Sequence, residues 1–274
     1  MKTLYISDLD GTLLNEKAEL SDFTIKTLNN LIDKGLNFSV ATARTQATVI
    51  QMMKNVNINI PIVLMNGVAI YDIIKKKYIN IERITTDGKR VLFDTIKNHI
   101  KSGFVYTIDN NELCTYYENS DSPQAKKFIL EREKKYGKKF IKVKTFSECA
   151  DKNIVYYSID DKKENLETAY NILSKCSQLS VEFYRDIYNT DHWYLEVCSA
   201  TASKKNAVVK LKELCDFDSV VSFGDNLNDL PMFEISDKAY AVYNAKNDVK
   251  LKATAIIGKN TDDEVAKFLK QIDI

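Results

Sequence analysis

Two aspartates stand two positions apart near the start of the chain, in the segment Asp8-Leu9-Asp10-Gly11-Thr12. They follow a short apolar run that predicts a strand, and Gly11 lets the chain turn sharply there. Carboxylates this close repel each other unless a cation lies between them or one is protonated. If the ligands are carboxylate oxygens and a substrate phosphate binds beside them, Mg²⁺ is the favoured cation. A calcium loop or a simple turn is the alternative, although an EF-hand needs polar ligands where Leu13 and Leu14 stand.

A second acidic turn comes late in the chain, in Gly224-Asp225-Asn226-Leu227-Asn228-Asp229. It also follows an apolar run, and Asp229 is predicted to cap a helix that has Pro231 in its first turn. The carboxyl ends of parallel strands share one edge of a sheet, so Asp225 is expected to lie near Asp8 and complete a metal site. Acidic turns after strands are common, and a turn without a metal is the alternative.

The helix that begins after Ser203 carries positive charges in its first turn, where the helix dipole disfavours them. Ser203 is a predicted N-cap, which places Lys204 and Lys205 in the first turn. The helix dipole disfavours cations there by about 0.3–1 kcal/mol each. An anion such as phosphate, held at this helix start, would reverse the effect. An exposed lysine that tolerates a small penalty is the alternative.

Thr42 and Arg44 follow the second predicted strand, in Ala41-Thr42-Ala43-Arg44. A threonine hydroxyl and backbone N–H groups can bind phosphate, and Arg44 could grip the same phosphate or another substrate oxygen with two hydrogen bonds. A helix N-cap threonine beside a surface arginine is the alternative. With the acidic turns and Lys204, these residues predict a nucleophile, an acid/base, a hydroxyl, a cation and a metal carboxylate at one sheet edge.

The elements that must position these residues are short buried strands alternating with helices, and the apolar runs cover residues 3–7, 36–41, 62–65 and 219–223. The helix predicted over 21–34 is typical, with Ser21 as N-cap and Gly35 as the stop. This alternation predicts an α/β fold, a Rossmann-like parallel sheet core with helices on both faces.

The stretch over 86–190 has a different character, and its length of about 105 residues far exceeds the ~30 of a βαβ crossover. It predicts an inserted α+β domain within a discontinuous core over 1–85 and 191–274. Its tyrosines could stack on a sugar and His192 could touch substrate, with ordinary packing as the alternative. The predicted strands are 104–108, 113–117, 154–159 and 179–184, and the predicted helices are 91–101, 124–136 and 163–175.

The overall composition is that of an ordinary soluble globular protein, with 45% hydrophobic and 28% charged residues. A net charge of +1 argues against nucleic-acid and membrane partners. Five scattered cysteines without a C-x-x-C pair predict reduced thiols, and no signal or membrane-spanning segment is recognised. We therefore expect a cytoplasmic protein, a monomer or a weak homodimer.

The motifs taken in order, D-x-D-G-T, Thr42, Lys204 and G-D-x-x-N-D, closely resemble those of the haloacid dehalogenase-like hydrolases. Three further segments and the large insert resemble the Cof-type phosphatases of subfamily IIB: Met65-Asn66-Gly67-Val68, Leu195-Glu196-Val197 and Asn244-Ala245. Three positions depart from the usual pattern without removing a catalytic group: Ala43 and Lys205 replace common glycines, and Val68 replaces a usual alanine.

This resemblance implies a Mg²⁺-dependent phosphatase that hydrolyses small phosphorylated metabolites, with sugar phosphates favoured. The insert would be a cap of type C2B that closes over the site. The implied site consists of catalytic Asp8 (nucleophile, forming an aspartyl-phosphate) and Asp10 (acid/base); phosphate-binding Thr42, Arg44, Lys204 and Asn228; metal-binding Asp8, Asp10 (through its main-chain carbonyl) and Asp225; and supporting Gly11, Asn66, Gly67 and Asp229.

Three other functions share part of this chemistry. A phosphomutase uses the same aspartyl-phosphate but returns the phosphoryl group to a sugar. A receiver-like regulatory module also places acids, a Thr or Ser and a Lys at strand ends, but it is about half as long and needs no Asp10. A catalytically silent sugar-phosphate sensor would not need the full set of reactive groups.

Overall fold

The computed structural model describes residues 1–100, 102–119, 123–186 and 191–272. The strands, in chain order, are β1 (Thr3–Ser7), β2 (Asn37–Val40), β3 (Ile62–Leu64), β4 (Ala69–Asp72), β5 (Lys77–Ile81), β6 (Phe104–Asp109), β7 (Glu112–Tyr117), β8 (Lys139–Lys142), β9 (Ile154–Lys162), β10 (Leu179–Arg185), β11 (His192–Ser199), β12 (Ser219–Gly224), β13 (Lys238–Ala241) and β14 (Ala255–Ile256).

The helices are α1 (Asp22–Asp33), α2 (Gln46–Met52), α3 (Thr86–His99), α4 (Pro123–Tyr136), α5 (Lys163–Leu173), α6 (Lys204–Cys215), α7 (Leu230–Phe233), α8 (Asn247–Lys252) and α9 (Glu264–Lys270). Across the described residues, every helix is too short or too polar to cross a lipid bilayer. The chain divides into two compact units, Met1–Asn80 with Ser203–Ile274, and Ile81–Ala202.

The first unit is built on a parallel sheet in the order β14-β13-β12-β1-β2. The inner strand β1, which lies between β12 and β2, carries the fully buried Leu4 and Ile6, as expected for a strand covered on both faces. α1 begins where predicted, because the Ser21 hydroxyl accepts a hydrogen bond from the Thr24 amide at 2.9 Å. The predicted α/β fold is confirmed.

The third predicted strand does not belong to this sheet. β3 pairs with β4 in an antiparallel arrangement, in a separate three-stranded sheet, and a single parallel bridge between Ala41 and Val63 joins it to the end of β2. The chain reverses at once through a tight turn over Met65–Gly67, which favours a hairpin over a crossover. β13 and β14, which extend the parallel sheet, were not predicted.

The second unit contains a six-stranded sheet in the order β10-β11-β9-β6-β7-β8, in which only the β7–β8 pair is parallel. One face packs on α3 and α5 through buried residues such as Leu92, Leu166 and Tyr157. The predicted strands and helices are present with shifted ends, and β8 and β11 are additional. The predicted domain boundary at 190 and the predicted helix end at 101 lie outside the described residues.

Candidate active site

Asp8 and Asp225 follow the last residues of two neighbouring parallel strands. Ser7 of β1 lies opposite Phe223 of β12, and the Asp8 amide donates a hydrogen bond to the Phe223 carbonyl oxygen at 3.0 Å. The carboxylates of Asp8, Asp225 and Asp229 have oxygens within 4.8 Å of one another. The structure therefore brings the two predicted acidic turns together at one edge of the sheet.

Lys204 joins this acidic group from the start of α6. Its side chain is completely buried, and Nζ donates to Oδ1 of Asp8 at 2.6 Å and to Oδ1 of Asp229 at 2.7 Å. Ser203 caps the helix by accepting from the Asn206 amide at 3.0 Å. The alternative of an exposed Lys204 is wrong. That description fits its neighbour Lys205, which pairs with Glu234 on the surface.

The charges of this group are unbalanced. Burial raises the pKa of Asp8, and the Lys204 ammonium only partly opposes that shift. Burial alone would lower the pKa of Lys204, but Asp229 and Asp8 outweigh it and keep the pKa raised, so the amine stays charged. Burial and the neighbouring Asp229 raise the pKa of Asp225 to about 6. Three carboxylates thus share one buried cation, an excess of negative charge that favours a further positive ion.

Asp229 uses both carboxylate oxygens inside the protein. Oδ1 accepts from Lys204, and Oδ2 accepts from the amides of Asp225 at 2.9 Å and Asn226 at 3.0 Å. Its side chain therefore makes no capping bond to α7, and the predicted N-cap role of Asp229 is wrong in that detail. Gly224 permits this packing, since a Cβ there would lie 2.7 Å from the Asp229 side chain.

Asp8 and Asp225 are the carboxylates that remain for a metal. Oδ1 of Asp225 also accepts a hydrogen bond from the Thr12 hydroxyl at 3.0 Å, which orients the carboxylate. The atoms available as metal ligands are all oxygens, and they lie at the end of two buried strands. Hard divalent cations prefer oxygen ligands. The side chain of Asp10 lies outside the acidic group, so Asp10 could contribute only its main-chain carbonyl. These residues fit a divalent metal ion.

Asp10 is instead held by Arg44. Nε of Arg44 donates to Oδ2 of Asp10 at 2.7 Å and Nη2 donates to Oδ1 at 2.6 Å, a two-point pair. Arg44, predicted to bind phosphate, is thus placed on the predicted acid/base. Thr42 is fully buried and its hydroxyl oxygen accepts from the Arg44 amide at 3.2 Å. Since α2 begins only after Thr45, the alternative of Thr42 as a helix N-cap is wrong.

Asn66, Gly67 and Asn228 meet beside this loop. Nδ2 of Asn228 donates to Oδ1 of Asn66 at 3.0 Å, and the Asn66 amide donates to the Thr42 carbonyl at 3.0 Å. Met65, Asn66 and Gly67 have consecutive positive φ angles of 51°, 55° and 100°, which turn the chain back under the site. The binding of phosphate by Asn228 remains a prediction.

Two asparagines that were given no role support the loop over residues 9–14, which follows Asp8. Nδ2 of Asn244 donates to the Gly11 carbonyl at 2.7 Å, and Nδ2 of Asn260 donates to the Leu14 carbonyl at 2.8 Å. The Asn260 amide in turn donates to Oδ1 of Asn244 at 3.1 Å. The segment Asn244-Ala245 was recognisable in the sequence, whereas no sequence signal marked Asn260. Both residues tie the C-terminal part of the chain to the turn that presents Asp8.

The family model described as haloacid dehalogenase-like hydrolase matches residues 5–269. The chain belongs to the haloacid dehalogenase-like hydrolases. It is 28% identical to the phosphatase YwpJ of Bacillus subtilis, over 99% of this chain and all of that one. It is 23% identical to the pyridoxal phosphate phosphatase YbhA of Escherichia coli, over 96% and 95% of the two chains.

A crystal structure of a Thermotoga maritima protein, 23% identical in sequence, has the same fold with a TM-score of 0.82 over 100% of this chain and 98% of that one. The resemblance to the Cof-type haloacid dehalogenase-like hydrolases is confirmed. The predicted enzyme class, a phosphoric monoester hydrolase, is confirmed with it. The roles of the individual site residues remain predictions.

Replacing Gly67 by alanine is expected to destabilise the protein by about 2–6 kcal/mol, because the change adds both backbone strain and a steric clash. Gly67 has φ +100°, and a Cβ there would collide with the main-chain carbonyl of Ser203. Gly137→Ala is the matched control, since Gly137 also has positive φ but open space around it. The control should lose only about 1–2 kcal/mol. Urea denaturation measures both, and equal losses would contradict the clash.

Mg²⁺ is expected to raise the melting temperature by about 2–4 °C near pH 7.5, and by less than half of that at pH 5. The pKa of Asp225 lies near 6, above its ordinary value of 3.8. Ionising Asp225 therefore costs stability as the pH rises from about 4 through 6, and a bound cation removes that cost. Below the raised pKa the cation must displace a proton. Differential scanning fluorimetry with Asp225→Asn as control tests this; a shift independent of pH would contradict it.

Proposed function

We propose that this chain is a Mg²⁺-dependent phosphatase that hydrolyses small phosphorylated metabolites, sugar phosphates among them, through an aspartyl-phosphate on Asp8. The observation that carries the proposal is the buried Lys204 between Asp8 and Asp229, with Asp225 alongside. A buried carboxylate next to a fixed cation is suited to approach an anionic phosphate, which an unpaired carboxylate would repel.

In the proposed reaction an oxygen of Asp8 attacks phosphorus in line with the ester oxygen. The bond from phosphorus to the leaving oxygen breaks, and Asp10 donates a proton to that oxygen. Asp10 then takes a proton from the water that attacks the aspartyl-phosphate, which releases inorganic phosphate and restores Asp8. A bound Mg²⁺, held by Asp8, Asp225 and the main-chain carbonyl of Asp10, would offset the negative charge of nucleophile and phosphate.

Three side chains are proposed to bind the phosphate oxygens: Thr42, Lys204 and Asn228. The Thr42 hydroxyl oxygen already accepts the Arg44 amide, so its own hydrogen can be donated outward to a phosphate oxygen. Lys204 has three donors, of which Asp8 and Asp229 use two. The third can be donated to the transferring group, so Lys204 would compensate charge on both reactants.

A phosphate-release screen over phosphorylated metabolites, with and without Mg²⁺, tests the proposal. The relative YbhA is named for pyridoxal phosphate, so the panel should contain that compound beside hexose, pentose and polyol phosphates. We expect Mg²⁺-dependent release that a chelator abolishes, with free phosphate equal to the substrate consumed. Substrate loss without free phosphate would indicate a phosphomutase, and the absence of any release would contradict the proposal.

A further inference from the structure

The Arg44–Asp10 ion pair has a two-point geometry although both side chains are partly exposed. Two guanidinium nitrogens meet two carboxylate oxygens at 2.7 and 2.6 Å, while the side chains remain 26% and 49% exposed. A fork-to-fork pair restrains the rotation of a carboxylate about both side-chain bonds, which a single contact does not. The pair therefore fixes where the Asp10 oxygens lie.

The Arg44 backbone is hydrogen-bonded through both its amide and its carbonyl, and Asp10 lies next to a constrained turn at Gly11. The amide of Arg44 donates to the Thr42 hydroxyl at 3.2 Å, and its carbonyl accepts from the Met65 amide at 3.1 Å. Asp10 precedes Gly11, whose φ of +77° turns the chain, and a Cβ at Gly11 would lie 2.5 Å from an Asp225 oxygen. The position of the Arg44 guanidinium is thus set by the loop over residues 42–45, and that of the Asp10 carboxylate by the loop over residues 9–14.

Asp10 is only two residues from Asp8, so its side chain has an alternative partner, a cation bound at the acidic group. Asp8, Asp225 and Asp229 already gather their oxygens within 4.8 Å of one another, and a carboxylate is the preferred partner of a cation bound there. If Asp10 turned to that cation, its oxygens could no longer face the leaving group. In the structure both Asp10 carboxylate oxygens are bonded to Arg44, and Asp10 is not part of the acidic group.

We propose that Arg44 is the residue that positions Asp10 for proton transfer, in place of the phosphate-binding role that the sequence suggests. This inference rests on the proposed phosphatase function. When Asp10 carries the proton, one oxygen keeps its bond to Arg44 and the other faces the leaving oxygen. As the ester bond to phosphorus breaks, the proton passes to the leaving oxygen, and the Asp10 carboxylate regains both bonds to Arg44.

The two roles of Arg44 predict different dependence on the leaving group. A phosphate ligand would assist all esters alike, whereas a residue acting through the acid matters most where the leaving group needs a proton. Phenyl phosphate and p-nitrophenyl phosphate have nearly the same shape, but p-nitrophenolate leaves readily without protonation. The parameter to compare is kcat/KM, since it covers the steps up to departure of the leaving group.

We expect Arg44→Gln to lower kcat/KM about 10²-fold or more for phenyl phosphate, and no more than about fivefold for p-nitrophenyl phosphate. Inhibition by inorganic phosphate should be unchanged. Asp10→Asn should show the same selective loss, and the double variant should be no worse than Asp10→Asn alone. Arg44→Lys, which keeps the charge but loses the fork, should recover only part of the loss.

Equal losses on both esters, weaker inhibition by phosphate, or losses that multiply in the double variant would overturn the inference and return Arg44 to phosphate binding. Activity on p-nitrophenyl phosphate also shows that each variant is folded. If the wild-type protein released phosphate from neither ester and from no compound of the metabolite panel, the proposed function would fail and the inference with it. If the wild type were active but the losses equal, only the inference would be wrong.

Discussion

Asp8→Asn is expected to abolish phosphate release, with a fall in kcat of at least about 10⁴-fold, the size seen when a nucleophile is removed. The amide has the shape of the carboxylate but cannot attack phosphorus, and Lys204 then lacks one of its two buried anions. Steady-state assays under saturating Mg²⁺ with the best ester from the screen measure the loss.

The fold should survive this change. The oxygen of the introduced amide can still accept from Lys204, Asp229 still neutralises the amine, and a buried carboxylate whose pKa is raised by desolvation is removed. Asp33→Asn, an exposed aspartate on α1, is the matched control and should leave kcat unchanged. Near-wild-type turnover by Asp8→Asn, with the melting temperature preserved, would show that another residue is the nucleophile.

Lys204→Met is expected to lower the free energy of unfolding by about 3–5 kcal/mol and to remove activity. The change leaves the buried carboxylates of Asp8 and Asp229 facing each other with no positive charge between them. Denaturant unfolding of the cation-free protein gives the stability, and phosphate release gives the activity.

Lys205→Met is the matched control for this prediction. Lys205 is the next residue and has the same type, but its pair with Glu234 is on the surface, where such pairs contribute about 0–1 kcal/mol. Adding Asp229→Asn to Lys204→Met should recover part of the stability and none of the activity. If Lys204→Met were as stable as Lys205→Met, Lys204 would not be the buried counter-ion of this site.

The sequence predicted the parts of the site that depend on strand ends. In a parallel sheet the residues after neighbouring strands meet at one edge, so the position of Asp8 beside Asp225 follows from two apolar runs and two acidic turns. The helix start at Ser203 was also predictable, since capping is local. The environment of Lys204 was predicted only in part. The helix dipole predicted an anion beside it, but the anions in the structure are two carboxylates of the protein.

What the sequence could not predict depends on contacts between distant loops. Arg44 and Asp10 are 34 positions apart and Asn66 and Asn228 are 162 apart, and neither pair has a local pattern. Asn66 lies in a run of positive φ angles over Met65–Gly67, a conformation that residues other than glycine rarely adopt. The sheet to which β3 belongs was mispredicted because a short apolar run such as 62–65 has the same pattern in either sheet.

The most direct test of the central claim is to trap the phosphoryl group on the chain. With p-nitrophenyl phosphate, Asp10→Asn should slow the hydrolysis of the aspartyl-phosphate more than its formation, so rapid acid quenching with this ester and Mg²⁺ should capture enzyme carrying one phosphoryl group. We expect peptide mass spectrometry to place that group on Asp8, to find it sensitive to hydroxylamine as an acyl phosphate, and to find none when Asp8→Asn is added. Hydrolysis without any such adduct, or a phosphoryl group on another residue, would contradict the account.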